Sequence, residues 1–522
     1  MTQPADPRSA PSSTAMSQEG RAVLNADVPT FGDLLGAAAE TFPEQEAFVH
    51  GDDRLSYADW LDQSLRVAAA FADKGAKPGD IILIGLDNSI DFAVCFAGAQ
   101  LLGAIASGVN TRLGRREIDS IVARSNAALL ILEDAANAPA ASPQIIRRRD
   151  LAALRQYPRK AAYYSGQSKE IAVIIWTSGT TGQPKGVCFT HDNLRSAVRT
   201  AGLLAGPFSR KLGSVPFAHA GFMGKGWEQV AFGMTLVIAP IPWTADAMLR
   251  LLVEERINIA GAVPTQWTKL LAHPGLKAAD LSHIQVGVTA TAPASPELIE
   301  QVSLALGAPL IVRYSMTECP SVTGTRIGDS AEVQYRTVGR PQDGVELKLI
   351  DEDLKIVPHG SVGRVAVRSP AVMVGYWQDP EKTAEALTPD GWLISGDYGR
   401  LDENGNLVLA GRSSEMYIRG GYNVYPIEVE RVIGELPGVA AAAVVGTPAP
   451  AIGEIGIAFI VATDPDHPPT LADIRAKVLA ELADYKAPDW LILLDTLPLT
   501  PMMKVDKQAL KQHAASLEST RG

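Results

Sequence analysis

The sequence predicts an α/β protein: a large N-terminal domain of two parallel-type sheets with helices plus a small β-rich subdomain, followed by a smaller α+β C-terminal domain. Three observations carry this. From about Val28, short apolar runs alternate with amphipathic helical segments. After Val338 the pattern changes to short β segments with Gly-containing turns. Beyond GRSSE, which starts at Gly411, about 110 residues mix strands and helices, enough for a separate small domain. A chain of 522 residues also exceeds what a single hydrophobic core usually supports.

Taken in order, 57–74 has one apolar face and predicts a helix, 75–79 a turn, and 81–85 a buried strand. The unit repeats with a helix at 93–102, a strand at 105–107, a helix at 115–125 and a strand at 128–132. The apolar run 171–176 leads into a Gly/Ser/Thr-rich loop. Strand candidates at 236–239, 284–288 and 310–314, separated by helical segments, predict a second parallel sheet. The β-rich part comprises 345–350, 363–368 and 407–410. The last part has strands at 440–446 and 455–461 and helices at 426–435 and 470–482. There is no internal repeat.

Composition narrows the function. With 46% hydrophobic and 20% charged residues and no apolar stretch near transmembrane length, the chain reads as globular and non-membrane. Its 58 acidic against 47 basic residues give a net charge of -11, which opposes nonspecific nucleic-acid binding. Cys95, Cys188 and Cys319 are too few and scattered for a disulfide framework or zinc cluster, which fits a reducing, cytoplasmic location. Residues 1–27, rich in Ser, Pro and Ala without an apolar core segment, read as a disordered tail and not as a signal peptide.

The most telling segment is TSGTTGQPKG at 177–186. Glycines permit backbone shapes that a Cβ forbids, hydroxyls and amides point at anionic oxygens, and Lys185 adds positive charge, so the loop suits phosphate. It departs from G-x-x-x-x-G-K-[ST], since Pro184 occupies the sixth position from Gly179 and Gly186 follows the lysine. A P-loop kinase or GTPase is disfavoured, and a plain surface turn is the bland alternative.

Downstream come YSMTE (314–318), SGD (395–397), GR (411–412), RGGYNVYPIEVE (419–430) and TPMMKVDK (500–507). In this order and spacing the chain from about Val28 resembles the adenylate-forming superfamily, which includes acyl-CoA synthetases, peptide-synthetase adenylation domains and firefly-type luciferases. The resemblance implies an N-terminal domain over 28–411, a hinge at 412–415 and a mobile C-terminal domain over 416–522, with the active site between them. It implies ATP, Mg²⁺ and coenzyme A. Thr177, Ser178, Gly179, Thr180, Thr181, Gly182 and Lys185 would cradle pyrophosphate, Glu318 would hold Mg²⁺, and Thr317 would bond the α-phosphate. Asp397 would accept from the ribose hydroxyls with Arg412 assisting, Tyr314 would flank adenine, and Ala292, in VTATAPASPEL, would line the nucleotide site. Gly420 and Gly421 would border the channel for pantetheine's thin arm. Lys504 would be the catalytic cation of adenylation, leaving when the small domain rotates about Ser414. Taken singly, each of these side chains has an ordinary explanation, such as a solvated Glu318 or Lys504, a turn-forming Asp397 or an ion-paired Arg412.

Four positions depart from the family pattern: Ser414 at the hinge, where Asp or Lys is usual; Met503 instead of Gly before the lysine; Ala290-Thr291 instead of Gly-Gly; and Ser315 after the motif tyrosine. PFAHAGFMGKGW (216–227) matches the acyl tunnel, with His219 at its gate. No acidic residue stands between Pro216 and Gly226 to pair an ammonium, so an α-amino acid is disfavoured. Gly221, Gly224 and Gly226 leave space and Phe217, Phe222, Met223 and Trp227 offer an apolar wall, which predicts a hydrophobic carboxylic acid; core packing is the alternative. The acceptor is free CoA or a carrier protein's phosphopantetheine. A luciferase-like oxygenase and a noncatalytic nucleotide binder are further alternatives, and a homodimer is compatible with the sequence.

Overall fold

The computed structural model describes residues 22–134, 143–159, 164–177, 184–290, 294–412, 414–420, 422–449, 452–500 and 504–519. Four sheets organise the chain. In a seven-stranded sheet, Ile81–Gly85, Ile105–Gly108, Leu129–Leu132, Gln144–Arg147 and Ile171–Thr177 run parallel. Lys185–Thr190 and then Gly375–Tyr376 add antiparallel to one edge. The strand Ile81–Gly85 is buried along its whole length, which is why it reads as a continuous apolar run.

The second sheet has nine strands, ordered Arg340–Pro341, Cys319–Gly324, Leu310–Met316, Val286–Ala290, Ile259–Ala262, Arg210–Gly213, Thr235–Ile238, Glu46–His50 and Asp53–Ser56. The expectation of a parallel sheet needs correction at both edges, where hairpins close it antiparallel. The strand Glu46–His50, distant in sequence, pairs with Thr235–Ile238 through Phe48↔Leu236.

Between the two sheets lies an aromatic core in which Trp60, Phe31, Phe48 and Phe96 are wholly or almost wholly buried. The helix Ile90–Leu101, capped by Ser89, is buried on every side, so periodicity located only part of it. The expected strand at 284–288 starts later, at Val286, because Ile284 closes a turn onto Leu281. Residues 22–27 are not a loose tail. Val23 and Leu24 donate to the Ala231 carbonyl, and Asp27 pairs with Arg195 at 2.9 Å.

The β-rich part is a four-stranded antiparallel sheet ordered Glu346–Ile350, Gly363–Arg368, Leu393–Leu401 and Leu407–Arg412. Arg412 is the last residue of a strand, so the expected hinge at 412–415 begins inside regular structure. The C-terminal part pairs the long hairpin Val439–Ala449 and Gly453–Ala462 with Tyr417–Arg419 and, in parallel, Trp490–Leu493. The helices Pro426–Gly434 and Leu471–Glu481 pack with this sheet around Tyr417, Val444 and Ile460.

Candidate active site

The strand–loop–strand of the phosphate motif is a hairpin. Thr177 pairs with Lys185 across its base, and Thr177 Oγ1 lies 3.5 Å from the Lys185 carbonyl. Ser178, Gly179, Thr180, Thr181 and Gly182 lie outside the described residues. The same holds for Thr291, Ala292, Gly421 and Met503.

Thr317 and Glu318 form the tip of a tight hairpin, since Met316 pairs directly with Cys319. Glu318 Oε1 accepts a 2.8 Å hydrogen bond from Tyr376 Oη, and Lys185 Nζ stands 5.0 Å from the centroid of the same tyrosine ring. Tyr376 thereby joins the lysine of one motif to the carboxylate of another. Burial first, then the Glu318 charge, raises its phenol pKa far above normal, so it donates at neutral pH. Sequence reasoning missed Tyr376, because nothing local shows that a residue 58 positions after Glu318 returns to it. The short strand Gly375–Tyr376 returns it there by pairing with Val187 and Cys188, and Trp377 N–H bonds the Gly186 carbonyl.

Asp397 is 7% exposed, and each of its carboxylate oxygens holds one partner. Oδ2 accepts from Tyr314 Oη at 2.7 Å, Oδ1 accepts from Arg412 Nε at 2.7 Å, and its own N–H donates to Ser395 Oγ at 3.0 Å. Tyr314 is also 7% exposed. Its phenol is pushed up by burial, then by Asp397. Cross-strand pairing of Asp397 with Arg412 sets this geometry.

Lys504, from the far end of the chain, reaches the same neighbourhood. Its loop is tied by Thr500 N–H to the Lys504 carbonyl at 2.7 Å and by Lys504 N–H to Thr500 Oγ1 at 3.3 Å. Burial, then the Arg412 charge, lowers the ammonium's pKa, while Asp397 and Glu415 oppose the shift. Lys504 in turn acts on His219, whose pKa is lowered to about 4 by burial first and by that ammonium second. The neutral His219 ring accepts at Nε2 from Asn110 Nδ2, 2.9 Å away. Asn110 is a second partner that sequence reasoning missed. Gly420 takes φ 58 and donates to the Ile452 carbonyl at 2.7 Å, and an added Cβ there would meet nothing within 4 Å.

The expected apolar wall needs correction. Phe217, Phe222, Met223 and Trp227 are between 1% and 4% exposed and belong to the aromatic core, with Phe217 and Phe222 stacked at 4.0 Å. The glycines beside them serve close packing: a Cβ at Gly224 would come 2.9 Å from the Ala220 carbonyl, and one at Gly221 2.8 Å from Val215. Glu228, just past the window searched for an acidic residue, is bonded by Lys211 and Lys225 and is not free for an ammonium.

The AMP-binding enzyme family profile matches residues 35–377, and the AMP-binding enzyme C-terminal domain profile matches residues 428–504. The chain belongs to this family. It is an adenylate-forming enzyme of the acyl-CoA synthetase type. It is 32% identical to a feruloyl-CoA synthase of Amycolatopsis sp over 91% of this chain and 97% of the relative. It is also 32% identical to the fatty acid--[acyl-carrier-protein] ligase ScoC of Streptomyces coeruleorubidus, over 88% of this chain and 91% of that one. Among solved structures, the anthranilate CoA ligase AuaEII in complex with anthranoyl-AMP superposes with a TM-score of 0.86 at 26% identity, covering 95% of this chain and 100% of that one. Among the described residues no helix is long and apolar enough to cross a membrane.

Proposed function

We propose that this enzyme activates an apolar-bodied carboxylic acid with ATP, releasing pyrophosphate, and passes the resulting acyl-adenylate to the thiol of free coenzyme A. A carboxylate resists nucleophiles because it is anionic and oxide leaves poorly; attaching AMP supplies a leaving group. The observation that carries the reading is that the Lys504 ammonium, from the far end of the chain, is electrostatically coupled to Arg412, Asp397 and His219. A lysine there supports the carboxylate oxygen and the α-phosphate as negative charge builds between them.

Asp397 and Arg412 suit the ribose, with Tyr314 fixing the carboxylate's orientation. The neutral His219, held by Asn110, closes the acyl side without adding a competing cation near Lys504. No cluster of three or more potential metal ligands occurs among the described residues, which agrees with Mg²⁺ held by one carboxylate and the substrate phosphates. Glu318 fits that role, since Tyr376 occupies only its Oε1; the ion would neutralise phosphate charge. Thr317, on the same hairpin tip, suits the α-phosphate, and Gly420, which has no side chain to obstruct it, suits pantetheine. The named resemblance to a carrier-protein ligase favours a second reading, in which the thiol belongs to a carrier protein.

Trapping acyl-adenylate with hydroxylamine across fatty, aromatic and polycyclic acids, with ATP and Mg²⁺, tests adenylation. Repetition with CoA or with a carrier protein separates the acceptors. Absence of acid-dependent AMP or pyrophosphate with every acid would overturn the proposal.

A further inference from the structure

Two opposite charges of the candidate site come from different sheets. Lys185 begins the strand Lys185–Thr190 of the seven-stranded sheet, and Glu318 sits on the hairpin tip between Met316 and Cys319 of the nine-stranded one. An ammonium and a carboxylate that share a neighbour attract each other, and a direct pair would neutralise both. Among the described residues, however, neither has an ion-pair partner. Each meets Tyr376 instead. The hydroxyl donates to Glu318 Oε1 at 2.8 Å, and Lys185 Nζ lies over the ring, 5.0 Å from its centroid. The negative face of an aromatic ring holds a cation without cancelling its charge, and a hydroxyl holds a carboxylate in the same way.

The strap that carries Tyr376 is fixed to both charged elements. Met373 N–H donates to the Glu318 carbonyl at 2.9 Å, Val374 N–H to the Cys188 carbonyl at 3.0 Å, and Trp377 N–H to the Gly186 carbonyl at 2.7 Å. Residues 373–377 are thereby stitched to the Glu318 hairpin and to the strand that starts at Lys185. Thr383 Oγ1 accepts from Tyr376 N–H at 2.9 Å and donates to the Asp379 carbonyl at 2.7 Å. Close contacts leave this backbone little play. A Cβ at Gly375 would come 2.8 Å from Thr383 Cγ2, and one at Gly186 would come 2.9 Å from Ile174 Cγ2 and 3.1 Å from Trp377 Cβ. Held on both sides, the strap delivers the tyrosine ring to one place.

We propose that Tyr376 is a positioning residue that keeps Lys185 and Glu318 apart and ready for the nucleotide, the lysine for phosphate and the carboxylate for its metal ion. This rests on the ligase reading and deepens its account of the ATP site. The ring carries the cation and the hydroxyl anchors the carboxylate, so neither charge is spent on the other. Without this side chain, Glu318 closes on Lys185 and competes with the ATP phosphates for it.

The test is equilibrium binding of ATP in EDTA, followed by isothermal titration calorimetry with no acid present, which reads the lysine without turnover or metal. Tyr376→Phe, which keeps the ring and drops the anchor, is expected to weaken binding about 3-fold, and Tyr376→Leu, which drops both, about 10-fold. Glu318→Gln is expected to strengthen metal-free binding by about 2-fold at most in the wild type but by about 10-fold in the Tyr376→Leu background, because only there does Glu318 occupy the lysine. A loss that Glu318→Gln does not recover is plain structural damage and overturns the inference, as does wild-type affinity in both single variants. Wild type that binds ATP only with Mg²⁺ also overturns it, since Lys185 is then not ready for phosphate. If Tyr376→Leu does not fold, Tyr376→Phe with and without Glu318→Gln decides. All of these results leave the ligase reading standing, whereas wild type that binds no ATP with or without Mg²⁺ sinks that reading.

Discussion

Lys504 is the residue on which adenylation turns. One cation at about 4 Å with an effective dielectric of about 20 contributes about 4 kcal/mol, close to a thousandfold in rate. Lys504→Ala should therefore cut adenylation by about two to three decades and spare thioester formation from supplied acyl-adenylate. Single-turnover assays of the two half-reactions check this, and equal loss in both would refute it. Histidines set the acid limit. His191 Nδ1 accepts from Phe31 N–H at 3.4 Å, and burial lowers its pKa from 6.5 to about 4. Above pH 6.5 neither folded nor unfolded chain is protonated there, and stability is full. As pH falls toward 4, the unfolded chain takes the proton first and the fold loses up to about 3 kcal/mol from this residue. The melting temperature should fall across that window, and His191→Asn should flatten the slope.

At the scale of elements, the small domain depends on glycines that admit one tyrosine. A Cβ at Gly446 would stand 2.2 Å from Tyr417 Cβ, and one at Gly456 would stand 2.2 Å from Tyr417 Oη. Both glycines lie on the long hairpin and face each other across it. Gly446→Ala should destabilise the small domain by about 1–3 kcal/mol, seen as an early unfolding transition of this part; an unchanged melt would exclude the clash. A second element holds the Lys504 loop. Lys507, which begins the helix Lys507–Ser519, bonds Glu415 at 2.7 Å and Glu430 at 2.8 Å. Glu430 is partly buried, and desolvation raises its carboxyl pKa despite Lys507. Lys507→Met should slow adenylation about 10-fold by freeing the loop and stranding Glu430, with Lys507→Arg retaining most activity; pyrophosphate exchange reports both.

At the scale of the whole molecule, an ion pair joins the two parts among the described residues. Arg336 of the large domain stands 3.6 Å from Glu435 of the small one, and Lys477 shares Glu435 at 3.3 Å. Half-exposed, such a pair is weak, so Arg336→Ala should lower adenylation only a few-fold and leave thioester formation unchanged; parallel loss of both half-reactions would deny it a role in domain arrangement. The α/β class, the β-rich insert and the small C-terminal domain were legible because buried parallel strands and amphipathic helices leave strong local patterns. The motif residues Lys185, Glu318, Asp397, Arg412 and Lys504 were legible only through the order and spacing of their motifs, since each taken singly has an ordinary explanation. Local sequence by itself determined these elements, while the roles of the motif residues came from the resemblance of the motifs, in order and spacing, to one family. Only the tertiary structure decided which residues meet: Tyr376 with Glu318 and Lys185, Asn110 with His219, and the aromatic run with the core between the sheets. Those pairings arise from long-range strand register and from burial, and neither is encoded in neighbouring residues.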